Sequence, residues 1–407
     1  MQCTKKITVV QKNIFILSSS QWISDIGTAS YISFVNLWLI QVFKDSAVVG
    51  TILSITEIAM FFLSPLISTF IKGKNIKSML IISDYVRAAV MIVLVLVMNQ
   101  INEITIIALF IALSTLNCVF DGAVMVVIKR IGEKSNLVKL NTFLILLANV
   151  SLFIGQYAGG RLFTADGIQY VFIINAVSFF ISGLINHFLH NEYCLPTKKN
   201  EKNIIKDIFT AIKAVTKNKT SLALIIAILL INIHASIASF SAYFLFSGAD
   251  QALFQTSVYT YFIMAGTAGT IIGLLIISYS GDKLFGLKSL VPLLCVIAIC
   301  RIGHFAVVNI VAACLINGVI CVIIGILNSL LEAYILHSID EHYIGQYYTV
   351  FGNISQLLSP LITYGLGYVL RFVFPVYVYA SSGIALFIPI LYIHIQMKKI
   401  HLGTSKN

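Results

Sequence analysis

The chain has 407 residues, 58% hydrophobic and only 11% charged, with a mean hydropathy of +0.94; soluble domains are about one-quarter charged, so it belongs in a bilayer. A net charge of +11 would suit nucleic acid, but the basic residues are scattered through short loops and form no continuous basic face, which excludes that partner. Seven cysteines, with no CxxC pair and no His cluster, imply neither a disulfide framework nor a bound metal.

Apolar runs of spanning length, about 20 residues, recur at 13–43, 47–71, 78–98, 104–128, 140–163, 168–189, 221–246, 254–279, 287–308, 310–337, 344–371 and 373–396. A backbone in lipid must satisfy its own hydrogen bonds, and these runs lack the alternating period of barrel strands, so each reads as a helix. The first follows Lys5, Lys6 and Lys12 without an Ala-x-Ala cleavage site, and reads as a span, not a removable signal. The expected fold is all-α: twelve transmembrane helices in two pseudo-symmetric six-helix bundles, residues 1–190 and 221–407, the second with a short cytoplasmic tail. Between them, 191–220 is a basic linker containing Lys198, Lys199, Lys202, Lys206, Lys213, Lys217 and Lys219. Helical spacing of apolar residues after Asn203 fits an amphipathic surface helix or a solvated connector.

Lysine and arginine fix the orientation. Loops holding Lys72, Lys74, Lys77, Lys129, Arg130, Lys134, Lys139 and the linker lysines alternate with loops holding only Lys44, Arg161 and Arg371. Both termini and the linker are therefore expected in the cytoplasm. The outer loops are short, so function must reside between helices.

A weak internal repeat supports two related halves. Phe120-Asp121-Gly122 has a counterpart in Leu331-Glu332-Ala333, and Tyr157-Ala158-Gly159-Gly160 in Tyr364-Gly365-Leu366-Gly367.

Ionisable side chains inside a span are costly and need a reason. Asp25 and Glu57 lie near mid-depth of the first two helices, and burial disfavours the charged form of a carboxyl. That suits a group taking up and releasing a proton in each cycle; the other reading is a protonated carboxyl bonded to a neighbouring Ser, Gln or Tyr. Asp84 and Arg87 stand three apart on one helix face and can neutralise each other. Asp121 and Glu332 occupy equivalent places nearer the cytoplasm and suit a latch. Arg301, toward the outer end of the ninth helix, can attract an anionic group, pair with a carboxylate or snorkel outward. Gln21, Tyr31, Phe61, Tyr243 and Tyr261 are candidates to line a cavity for a bulky, partly apolar compound.

Gln21-x-x-Ser24-x-x-Gly27, Pro65, Ser83-Asp84-Tyr85-Val86-Arg87-Ala88, Ala214-Val215-x-x-Asn218-Lys219 and Tyr343-Ile344-Gly345-Gln346-Tyr347 together resemble the major facilitator superfamily. Within it they resemble the macrolide-efflux type branch, which also contains exporters of siderophores and peptide antibiotics. Two departures stand out. The loop after the second helix carries Lys72 where the superfamily pattern has an acidic residue. In the fifth helix, Gly155-Gln156-Tyr157-Ala158-Gly159-Gly160 keeps the glycines of an antiporter motif while glutamine replaces proline; such glycines also serve close helix packing.

The resemblance implies a secondary transporter of the bacterial cytoplasmic membrane, working by alternating access as a monomer. It implies proton-coupled efflux of an amphiphilic small molecule such as a macrolide-like drug, siderophore or peptide antibiotic. Import of a small metabolite is the rival, with a channel or membrane enzyme further off. No Gly-x-x-x-x-Gly-Lys-Ser/Thr run is present, so the proton gradient, and no bound cofactor, is the expected source of energy.

Overall fold

The computed structural model describes residues 2–71, 74–132, 137–164, 167–190, 219–246, 256–280, 286–304, 309–338 and 358–404. The 191–218 linker segment, Lys72 and the Tyr343–Tyr347 motif lie outside them. Helices in chain order are α1 (Gln2–Phe43), α2 (Ser46–Ile71), α3 (Ile76–Val97), α4 (Glu103–Gly132), α5 (Leu137–Thr164) and α6 (Ile168–Asn186). After the linker come α7 (Lys219–Leu245), α8 (Thr256–Ser280), α9 (Leu290–Gly303), α10 (Ile310–Ser338), α11 (358–369), α12 (Pro375–Ala385) and α13 (Phe387–Thr404).

Among the described residues, nine helical stretches are long and apolar enough to cross a membrane. The helix of the ninth expected span is shorter than its apolar run: α9 has 14 residues, about 21 Å at 1.5 Å per residue, after a 3-10 turn at Leu287–Ser289. The twelfth span is interrupted at Leu386. The cause is local, since Pro389 has no N–H and its ring opposes the carbonyl of Ala385, the last residue of α12. Apolar side chains such as Leu96 (76% exposed) and Ile104 (80%) cover the outside, as a lipid-facing surface requires.

Contacts divide the chain into two compact units, Met1–Trp38 with Ile55–Asn200, and Leu39–Ser54 with Glu201–Asn407. The turn joining α1 to α2 thus belongs to the second unit, where Ser46 Oγ donates to the Gly367 carbonyl at 2.7 Å and Ser54 Oγ to the Pro360 carbonyl at 2.7 Å.

In the first unit, Leu17, Ile76, Leu80, Ala123 and Val127 are buried in one core cluster. Small residues bring α1 close to its neighbours. A Cβ on Gly155 would lie 2.5 Å from the Ile26 carbonyl, and one on Gly159 2.8 Å from the Phe34 ring; Gly160 is also buried. Ser30 Oγ donates to the Gly155 carbonyl at 2.8 Å, so α1 and α5 touch backbone to backbone. In the second unit, α8 and α10 approach as closely, with Gly269 against the Gly318 carbonyl and Gly273 against the Val322 carbonyl.

Candidate functional site

An apolar helix that carries one polar row tends to bury it, because lipid offers those groups no hydrogen bonds. On α6 the row is Asn175, Ser178, Ser182 and Asn186, spaced three or four apart and all buried. It faces α3 and α1. A Cβ on Gly183 would press on the Tyr85 ring and one on Gly27 on Ser178 Oγ, so these helices meet without intervening bulk.

Asp84 and Arg87 of α3 sit in that seam, 0% and 3% exposed. Asp84 Oδ1 accepts from Arg87 Nη2. Its Oδ2 accepts from Ser182 Oγ and Asn186 Nδ2, each at 2.9 Å, and Ser20 of α1 joins through Ser182 at 3.0 Å. Arg87 Nη1 donates to Asn117 Oδ1 of α4 at 3.1 Å. The guanidinium is held between two rings, 4.0 Å from the Phe120 centroid and 4.3 Å from that of Phe179, favourable for a planar cation.

Two further carboxyls lie in the electrostatic field of this arginine. Asp25 on α1 and Asp121 on α4 act on Arg87, and Asp121 acts on Asp25. Asp25 is half-buried and Asp121 exposed on the unit. Neither hydrogen-bonds to a described side chain, whereas Asp84 is saturated by three donors. One guanidinium therefore faces three carboxyls, one committed to it and two whose protonation can change without breaking a bond.

Glu57 is exposed on α2, and its charge is not among those acting on Asp25, Arg87 or Asp121. Glu332 is exposed on α10. Arg301 is buried on α9 and reaches the Tyr379 hydroxyl of α12; it does not snorkel. Among the cavity candidates, Tyr31 is buried, its ring centroid 6.3 Å from Phe110 and 5.9 Å from Phe172, and its body serves packing. Phe61 packs edge-on to Phe62, and Tyr243 lies 6.1 Å from Tyr259. Tyr261 is exposed, and Gln21 has a buried amide oxygen without a hydrogen-bond partner. Sequence reasoning missed Asn117, Ser182 and Asn186. The spacing of the polar row on α6 was the available signal.

The described helices thus make a multi-pass bundle with a buried charge constellation in its first unit. The sequence model of the Major Facilitator Superfamily matches residues 17–396, and the chain belongs to that superfamily; it is a transporter, not an enzyme. The chain is similar in fold to the crystal structure of the nucleoside transporter NupG (TM-score 0.74, 14% identity, covering 95% of this chain and 98% of that one). It is also similar to the POT family transporter PepTSo (TM-score 0.72, 10% identity, 96% and 98%). A third likeness is to a bacterial homolog of the human lysosomal transporter Spinster, in an inward-facing and unoccupied conformation (TM-score 0.64, 12% identity, 95% and 95%). No curated protein sequence matches the chain.

Proposed function

We propose that the protein is a proton-coupled secondary transporter that exports an amphiphilic small molecule, of the macrolide, siderophore or peptide-antibiotic kind, by alternating access. In this reading it works as a monomer in the bacterial cytoplasmic membrane, both termini inside, with the proton gradient as its energy source and no bound cofactor. The observation that carries the coupling is the grouping of Asp25, Asp84 and Asp121 around the single Arg87. Asp84 keeps the arginine neutralised, and Asp25 with Asp121 is the pair that exchanges the proton. Glu57, the other mid-depth carboxyl, stands outside the pair and serves as the comparison.

Everted membrane vesicles containing the protein, energised to an acidic lumen, test both coupling and direction. Adding a transported macrolide, hydroxamate siderophore or peptide antibiotic should discharge the pH gradient, read with a pH-sensitive dye, and Asp25→Asn should remove the response while Glu57→Gln keeps it. Alkalinisation of the medium in step with uptake into intact cells, the sign of proton symport, would reverse the direction to import. An unchanged response in Asp25→Asn and Asp121→Asn together would end the coupling assignment.

A further inference from the structure

The second unit contains an arginine at the place Arg87 occupies in the first. Arg87 stands eleven residues after Ile76, the start of α3, and Arg301 eleven after Leu290, the start of α9. Both are buried, at 3% and 6% exposure. Both hold their guanidinium over an aromatic ring, that of Arg301 lying 4.9 Å from the Tyr379 centroid. The difference is the counter-ion: three residues before Arg87 is Asp84, and three before Arg301 is Ala298.

Among the described residues no carboxylate pairs with Arg301. The described spans of this unit contain one acidic residue, Glu332, eleven positions beyond Cys321 on α10. Cys321 is the α10 group that Arg301 senses, and eleven residues of helix span about 16 Å. Burying an arginine without a counter-charge is expensive, and removing its carboxylate partner in a duplicated design needs compensation.

The donors around Arg301 are also unspent. It bonds the Tyr379 hydroxyl through Nη1, while its Nε is buried without a partner. His234 of α7, 3% exposed, has no partner at either ring nitrogen, and Arg301 is the charge that acts on it. His304, also beside Tyr379, is already engaged with the Cys300 and Ala313 carbonyls at 3.2 Å each. A buried guanidinium with unspent N–H groups, together with a buried unpartnered imidazole within reach of its charge, matches a carboxylate, which takes two parallel hydrogen bonds from an arginine fork.

We infer that Arg301 and His234 form a binding site for the carboxylate of the transported compound, the ligand supplying the counter-charge that Asp84 supplies in the first unit. The inference rests on the reading of the protein as a carrier of an amphiphilic small molecule, and adds that the molecule is an acid.

Thermal unfolding of the purified full-length protein in detergent, with benzoate as probe, tests this. In gluconate buffer at constant ionic strength, benzoate should raise the unfolding midpoint with saturation, whereas benzamide, the uncharged analogue, should not. Arg301→Lys and His234→Gln should each weaken the apparent affinity at least about tenfold, and Arg301→Gln should abolish the shift. Ala298→Asp, which restores the α3 spacing, should remove the response by providing an internal carboxylate. Equal effects of benzamide, or an unchanged benzoate response in both Arg301→Lys and His234→Gln, would overturn the site. Chloride reproducing the full shift would reassign it to a free inorganic anion and overturn the substrate carboxylate. The midpoint is read without a proton gradient, so a failure here leaves the coupling assignment standing, and a failure of coupling leaves this site standing.

Discussion

Arg371 Nε lies 2.9 Å from Asp45 Oδ1, joining residues 326 positions apart in the chain. Arg371 Nη2 meets the second carboxylate oxygen, so the pair is bidentate, and Asp45 Oδ1 also accepts from the Ala47 N–H at 2.9 Å at the start of α2. The hydrogen bond from Arg371 holds the Asp45 carboxyl below its ordinary value of 3.8. A group depressed in the folded state contributes stability above its unfolded pKa and loses it as the pH falls through the folded one. The destabilisation caused by Asp45→Asn should therefore be flat at neutral and mildly acidic pH and fade only below 3.8. Because the pair is exposed, its coupling in an Asp45→Asn/Arg371→Gln double-mutant cycle should be small and should shrink in 1 M salt, where the screening length is about 3 Å. Thermal unfolding across pH and salt measures both effects.

Asp84→Asn should destabilise the protein by about 3–5 kcal/mol, the usual cost of leaving a buried charge without its partner. Asp84→Asn/Arg87→Leu should recover part of that loss, since removing both charges also removes the desolvation cost. Chemical unfolding of the purified variants gives the comparison; equal stability of the single and double variants would contradict the pairing.

Asp25→Asn should reduce gradient-driven flux more than about tenfold, equivalent to at least 1.36 kcal/mol on the barrier, and Asp25→Glu should keep part of it. Downhill exchange of substrate without net proton movement should survive in Asp25→Asn. That contrast, measured in proteoliposomes with and without an imposed gradient, separates coupling from folding.

Gly155→Ala should cost about 1–3 kcal/mol, the range for overpacking a tight contact, because its new methyl would lie 2.5 Å from the Ile26 carbonyl. Gly365→Ala is the matched control. It has nothing within 4 Å and should stabilise α11 by about 0.5–1 kcal/mol through the helix preference of alanine.

Hydropathy made the helical architecture legible, because a spanning helix is a local property of some twenty consecutive residues. The interruption at Leu386 was not read from the sequence, where 373–396 is one apolar run, although its cause, Pro389, is local. The pairing of Asp84 with Arg87 followed from a three-residue spacing. The approach of Asp25 and Asp121 to the same arginine was not legible. It depends on how α1 and α4 rotate about their axes, which the packing of Gly27 on Ser178 and of Phe120 on Arg87 decides. Tyr31 illustrates the converse, since composition suggests a cavity residue and the neighbouring rings of Phe110 and Phe172 make it a packing one.

The clamping of Arg87 between Phe120 and Phe179 makes its positive charge a stationary reference, like the fixed plate of a capacitor. Under the proposed coupling, a proton leaving Asp25 or Asp121 would change the force on α1 or α4 against that plate, while Asp84, Ser182 and Asn186 tie α3 to α6. In the proposed mechanism the energy of the gradient would enter as electrostatic stress between Arg87 and the helices that carry Asp25 and Asp121.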